Sequence, residues 1–151
     1  MMNENWPRWI QASVTKHFID AFAGFKVFTE GSERDTDKDK EYVEIRMDGP
    51  IARPQVNNQY ELEVTPNILV TTVGVKDTYK HRRVMGKVLA AFTNGIPVKR
   101  YGNGDQDDDS LLGCLQLKSE VRGNYFGQID TVLKIEQSTV DAEYTLTLAG
   151  S

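Results

Sequence analysis

The chain has 151 residues, 39% of them apolar and 26% charged, which is ordinary globular composition and enough for one hydrophobic core. Its net charge of -4 argues against a protein whose main task is gripping nucleic acid, because backbone binding relies on clustered Lys and Arg. The single cysteine, Cys114, excludes an intrachain disulfide and any multi-cysteine metal site, and no stretch approaches the roughly 18 apolar residues of a membrane span.

The start, "MMNENWPRWIQAS", lacks the basic region and apolar run of a signal peptide, so a soluble, cytosolic chain is expected. Pro7 suits the first turn of a helix, in which Ile10, Val14, Phe18, Ala21 and Phe22 share one face and Gly24 ends the run. "FKVFTEG" (25 to 31) predicts a short strand, and "SERDTDKDK" (32 to 40), with no apolar residue, predicts an exposed loop. Glu33, Arg34, Asp35, Asp37 and Lys38 make that loop a candidate partner contact. "EYVEIRMDGP" (41 to 50) alternates Val43, Ile45 and Met47 with Glu44 and Arg46, which predicts a strand with one wet face, stopped by Gly49-Pro50. After a loop "IARPQVNN", the stretch "QYELEVTPNILVTTV" (59 to 73) places Tyr60, Leu62, Val64, Ile68 and Val70 on a common face. Pro66 inside it has no N–H to donate and predicts an edge position, a bulge or a break between strands.

Asp77 can cap a second helix over 78 to 93, with Val84, Met85, Val88, Leu89 and Phe92 as its buried stripe and Asn94-Gly95 as its end. Strands follow at 96 to 102, 110 to 121 and 125 to 137, and a final one alternates Ala142, Tyr144, Leu146 and Leu148 with polar neighbours. The expectation is a single domain over 1–151 of class α+β, two helices packed on a mainly antiparallel β-sheet.

The chemistry-bearing residues define no enzyme. Asp105, Asp107 and Asp109 in "GNGDQDDDS" have the alternate spacing of the first ligands of an EF-hand loop, but Ser110 replaces the glycine of its turn and Gln116 the bidentate Glu. Gly102 and Gly104 lack the third glycine and the strand-to-helix setting of a phosphate-binding turn. His17 and His81 fall outside metal spacings and are expected on helix flanks, and Cys114 in its apolar run is expected to be a buried thiol. No catalytic residue, metal site or cofactor is expected. "YKHRR" (79 to 83) with Lys87 gives the second helix a basic flank, for which a solvated face is the plain reading. Lys80, Arg82, Arg83 and Lys87 are also a candidate subunit interface, with the aspartate run as the complementary surface.

The order of elements, with the stretches "WPRWIQASVTKHF", "IPVKRYGNGDQDDDSLLGCLQ" and "FGQIDTVLKIEQSTVDAEYTL", resembles the tail terminator proteins of long-tailed bacteriophages. The resemblance covers nearly the whole chain. It implies a tail-terminator-like fold and a virion structural protein assembled in the host cytoplasm. A ring, expected as a hexamer, would cap the tail tube and join it to the head at the neck. The implied partners are copies of the chain, the tail tube protein and the head-completion proteins, with DNA passing through the ring without specific binding and no membrane. A head-completion protein, adaptor or stopper, is the alternative, and a divalent-metal-binding enzyme a more distant one. In a ring, Asp105, Asp107, Asp108 and Asp109 are candidate channel lining, because carboxylates repel phosphate and let a polyanion slide.

Overall fold

The computed structural model describes residues 3–29, 41–74, 78–101 and 109–149. Its elements are α1 (Trp6–Ala21), β1 (Lys26–Thr29), β2 (Glu41–Gln55), β3 (Gln59–Thr72), α2 (Thr78–Ala91), β4 (Gly95–Lys99), β5 (Leu111–Asp130) and β6 (Ile135–Ala149). The six strands form one sheet in the order β1-β2-β3-β6-β5-β4. β1 runs parallel to β2, and every other neighbouring pair is antiparallel. The α+β reading, with two helices on a mainly antiparallel sheet, matches this architecture.

Helix α1 carries Pro7 in its first turn, where a missing N–H costs nothing. Its buried face is Trp9, Ile10, Ser13, Val14 and Phe18, while Ala21 is exposed. The helix closes at Phe22, whose N–H donates to the Phe18 carbonyl at 2.9 Å, so Gly24 is not its terminator. α1 packs on β4 and β2, which lie toward opposite edges, so the sheet curls around the helix; α2 lies over β3, β6 and β5. The helices meet through the Phe18 and Phe92 rings, whose centroids are 4.8 Å apart. Under them, Val43, Ile45, Leu62, Val64, Ile68, Val70, Ile96, Leu115, Val140 and Tyr144 line the inner face. A fully buried side chain of this kind contributes about 1.5–3 kcal/mol. Leu89 is only partly buried at the margin of this core.

A second, smaller apolar group lies on the sheet's other face, where Phe28 packs edge-on against Tyr42 at 5.5 Å and both are buried. Glu44 is buried beside them, so the expected wet face is not wet at this end of β2.

Three boundaries differ from the sequence expectation. β2 does not stop at Gly49-Pro50: the ladder shifts register between Asp48 and Ile51 and runs on to Gln55. Gly49 has φ +95°, and a Cβ there would stand 2.8 Å from the Glu63 carbonyl oxygen, so the bulge requires glycine. The expected eight-residue loop shrinks to a tight turn at 56–58, with Asn57 and Asn58 at positive φ. Pro66 sits on a central strand, not an edge; the β3–β6 ladder is interrupted between Val64↔Tyr144 and Asn67↔Asp141, where the proline has no N–H to offer. Finally, the strand expected at 110–121 continues to Asp130 as one 20-residue strand, β5, and the strand expected at 125–137 is cut by a turn at 131–134, beyond which β6 begins. Three register shifts along β5 bend and twist it against β6.

Candidate functional site

Of the sequence candidates, Asp109 and the cations of α2 fall among the described residues. Glu33, Arg34, Asp35, Asp37 and Lys38 lie outside the described residues, as do Asp105, Asp107 and Asp108. Asp109 is described: it is exposed with φ 58°, and its N–H donates to the Arg100 carbonyl at 3.3 Å. The Arg100 N–H in turn donates to the Ser110 carbonyl at 3.0 Å. This stem extends the β4–β5 pairing and stands beside the start of α1, where the Arg8 guanidinium donates to the Tyr101 carbonyl at 3.5 Å and Arg100 stacks over the Trp9 ring at 5.4 Å.

The basic residues of α2 belong toward the opposite end, and they diverge. Lys80 reaches Glu41 of β2 at 3.9 Å, Arg82 lies over the Tyr125 ring of β5 at 4.6 Å, and Lys87 lies over the Phe25 ring at 5.4 Å. Arg83 is exposed. These partners are on three different segments, so within one chain the four cations form no single patch. Exposed pairs of this kind are worth about 0–1 kcal/mol each.

Beneath α2 lies a polar group that sequence reasoning missed. His81 is fully buried rather than on a flank. Its Nδ1 is 2.8 Å from the Thr72 hydroxyl and its Nε2 2.9 Å from the Ser138 hydroxyl. Burial pushes the His81 pKa down; the Glu136 carboxylate opposes this shift and Arg82 adds to it. Glu136 is itself fully buried and accepts the Tyr125 hydroxyl at 2.7 Å, while its second oxygen has no partner. The hydrogen bond to Glu136, followed by burial, raises the Tyr125 pKa. The signal was available, since His81 falls on the same helical face as Val84, Met85 and Val88. Ser138 and His81 have the separation of a nucleophile and its base, and both are fully buried. His17 stands half-buried on α1, its Nε2 3.0 Å from the Ala91 carbonyl, and ties the two helices together.

On the outer face, Glu63 joins three strands: it accepts the Arg53 guanidinium of β2 and lies 3.4 Å from Lys118 Nζ of β5. The hydrogen bond from Arg53 is the main cause that holds the Glu63 carboxyl below its ordinary range. Cys114 is exposed rather than buried, because it alternates with the buried Leu115 and so faces outward. Among the described residues no group of three or more His, Cys, Asp and Glu could hold a metal ion.

Several large exposed apolar side chains lie toward the two ends of the sheet, while Ile19 and Tyr79 are exposed on the helices. Phe126 and Ile129 are exposed on the last part of β5, and Val132, 87% exposed, and Leu133 in the turn that follows. The turn is fixed by the Asp130 carboxylate, which accepts from the Val132 and Leu133 N–H groups at 2.9 Å, and by the Gly74 N–H, which donates to the Leu133 carbonyl at 3.1 Å. At the other end stand Val56, in the β2–β3 turn and 84% exposed, and Leu111, with Ile51 nearby. The 14 residues of β3 separate these ends by about 45 Å.

No protein-family model matches the chain, and no curated protein matches it. A solved structure whose given name states no activity is similar, with a TM-score of 0.60 over 92% of this chain and 94% of its own. At 11% identity that likeness shows a shared fold and nothing about function.

Proposed function

We propose that this chain is a virion structural protein of a long-tailed bacteriophage, a tail terminator whose copies close into a hexameric ring on the end of the tail tube and offer a surface to the head. The observation that carries this reading is the exposure of large apolar side chains at both ends of one sheet, Phe126, Val132 and Leu133 at one and Val56 and Leu111 at the other. An isolated soluble subunit gains nothing from such surfaces, whereas a subunit of an assembly covers them. The resemblance in element order supplies the identity of the assembly. The polar, buried environment of the Ser138–His81 pair favours a structural role over a hydrolytic one.

A head-completion adaptor or stopper shares the ring logic and would sit nearer the portal. The test is to add the purified chain to polymerising tail tube protein and image the products by negative stain. Tubes closed by rings, and labelling at the head-proximal end of tails in virions, support the terminator. Labelling against the portal favours the adaptor, and a chain missing from virions sinks both. The metal-enzyme reading places a divalent ion on Asp105, Asp107, Asp108 and Asp109; calorimetric titration with calcium, magnesium and manganese decides it, and tight binding would overturn the structural reading.

A further inference from the structure

We propose that the N-terminal half of α2, up to Gly86, is a flap that acid releases from the sheet, with His81 as its latch and the C-terminal half of the helix as its fixed end. The inference goes beyond the terminator reading and stands independently of it. The two halves of the helix are held differently. At the C-terminal end three backbone carbonyls meet other elements: Ala91 faces His17 Nε2 of α1 at 3.0 Å, Thr93 accepts the Tyr144 hydroxyl of β6 at 2.7 Å, and Asn94 accepts the Leu117 N–H of β5 at 2.8 Å. Phe92 adds its packing on Phe18. In the N-terminal half, among the described residues, His81, Val84 and Met85 are buried, while Tyr79, Arg82 and Arg83 are exposed. The Lys80–Glu41 and Arg82–Tyr125 contacts lie at the surface, where such pairs hold little. Gly86 separates the halves; it is exposed, and nothing stands within 4 Å of where its Cβ would be. A glycine inside a helix is its weakest link, and no close approach requires one here.

His81 fastens the first half to two strands at once, through Thr72 of β3 at Nδ1 and Ser138 of β6 at Nε2. A neutral ring suits that site, since one nitrogen donates to one hydroxyl and the other accepts from the second. An imidazolium donates from both, so the hydroxyl that had donated loses its acceptor inside a fully buried site. The groups that face the ring do not offset this. Glu136 of β6 attracts an imidazolium, Arg82 on α2 itself repels it, Tyr125 of β5 presents a ring centred 5.5 Å away, β3 contributes the Thr72 hydroxyl, and Glu41 of β2 is engaged by Lys80. Burial outweighs the Glu136 attraction, and the folded ring binds its proton less readily than a hydrated one. Swinging out the first half hydrates the ring at the cost of the Val84 and Met85 packing, far less than unfolding the sheet, so local opening is the cheaper way to admit the proton. It uncovers Thr72, Ser138 and Glu136, whose second oxygen has no partner, as a polar cleft on the sheet.

The experiment is amide hydrogen exchange read by NMR on the full chain, expressed as protection factors so that the chemical pH dependence of exchange cancels. A hydrated ring with the ordinary histidine value of about 6.5 favours opening by up to about tenfold between about pH 7.5 and about pH 5.5. Protection at amides 82–87 is expected to fall several-fold toward that ceiling, while Ala90, Ala91 and the amides of β3 and β6 keep theirs. His81→Gln retains an amide donor and acceptor and removes the titration, so its protection should be the same at both pH values. Gly86→Ala stiffens the hinge and should raise protection at amides 82–87 about fivefold at either pH. Where H81Q does not fold, the titration of His81 in the wild-type chain, followed by its ring carbon shifts, must share its midpoint with the loss of protection. A fall of less than about twofold, a fall shared by the sheet, a fall that persists in H81Q, mismatched midpoints, or a G86A chain that opens like wild type would each overturn the inference.

Discussion

Glu136 sits fully buried with one phenol donating to it, so the Tyr125 hydroxyl carries the satisfaction of that carboxylate. Tyr125→Phe keeps the ring beneath Arg82 and removes the donor, leaving both carboxylate oxygens without a partner. A loss of about 1–3 kcal/mol in urea-denaturation stability is expected, the usual cost of orphaning a buried polar group. Neighbouring His81 gives a pH dependence of definite sign. Its folded pKa is lowered by burial, so on acidification the unfolded chain takes up the proton first, near the ordinary histidine value of about 6.5. The stability that neutral His81 contributes is therefore complete above that pH and declines as pH falls below it toward the folded pKa. Thermal midpoints measured from about pH 7 down to about pH 5 should fall, and His81→Gln should flatten that slope; an unchanged slope in the variant would assign the acid sensitivity elsewhere.

At the scale of elements, both helices were legible in the sequence because each buries one stripe of a surface helix. Ile10, Val14 and Phe18, and later Val84, Met85 and Val88, recur at three-and-four spacing, although the buried Trp9 was not among the expected residues. Phe18→Ala should cost about 3–5 kcal/mol in equilibrium unfolding, because the ring is enclosed by Phe22 and Phe92 and cannot be replaced by movement of the helix alone. Strand ends were less legible, for reasons that differ. Gly49-Pro50 reads as a stop, yet it accommodates a bulge, and pairing with β3 on the far side carries the strand through it. The turn after β5, "TVLK", contains no glycine, proline or asparagine; its signal is Asp130 just before it, whose side chain accepts two turn N–H groups. Pro66 neither ends a strand nor lies on an edge, and it interrupts only the ladder to β6, since centrality in a sheet is a property of long-range pairing that no local window contains. The buried polar group under α2 escaped for the same reason: Thr72, Tyr125, Glu136 and Ser138 come from three strands, and only the fold gathers them around His81.

For the whole molecule, the two readings of the aspartate run make different demands on one variant. If Asp105, Asp107, Asp108 and Asp109 line a channel, changing all four to Asn leaves assembly intact and slows DNA passage, because only the repulsive field is lost. If they pair with Lys80, Arg82, Arg83 or Lys87 of a neighbour, the same variant assembles poorly, and added salt weakens the unmutated assembly as well. Sedimentation and ejection kinetics together separate the two, and normal behaviour in both leaves the run as a solubilising turn. The sheet order carries a consequence for how the chain reaches this state. β2–β3 and β5–β6 are hairpins of neighbouring strands, whereas the seam between β3 and β6 joins residues as far apart as Gln59 and Ala149. Each hairpin can form early from local contacts, but the seam must wait for closure of a long loop, and the interruption at Pro66 leaves it short of backbone bonds at its middle. The seam is then the late event on the folding pathway. Val140→Ala on β6, facing Ile68 across the seam, should accelerate unfolding while barely slowing refolding, whereas a conservative change within a hairpin turn should do the reverse.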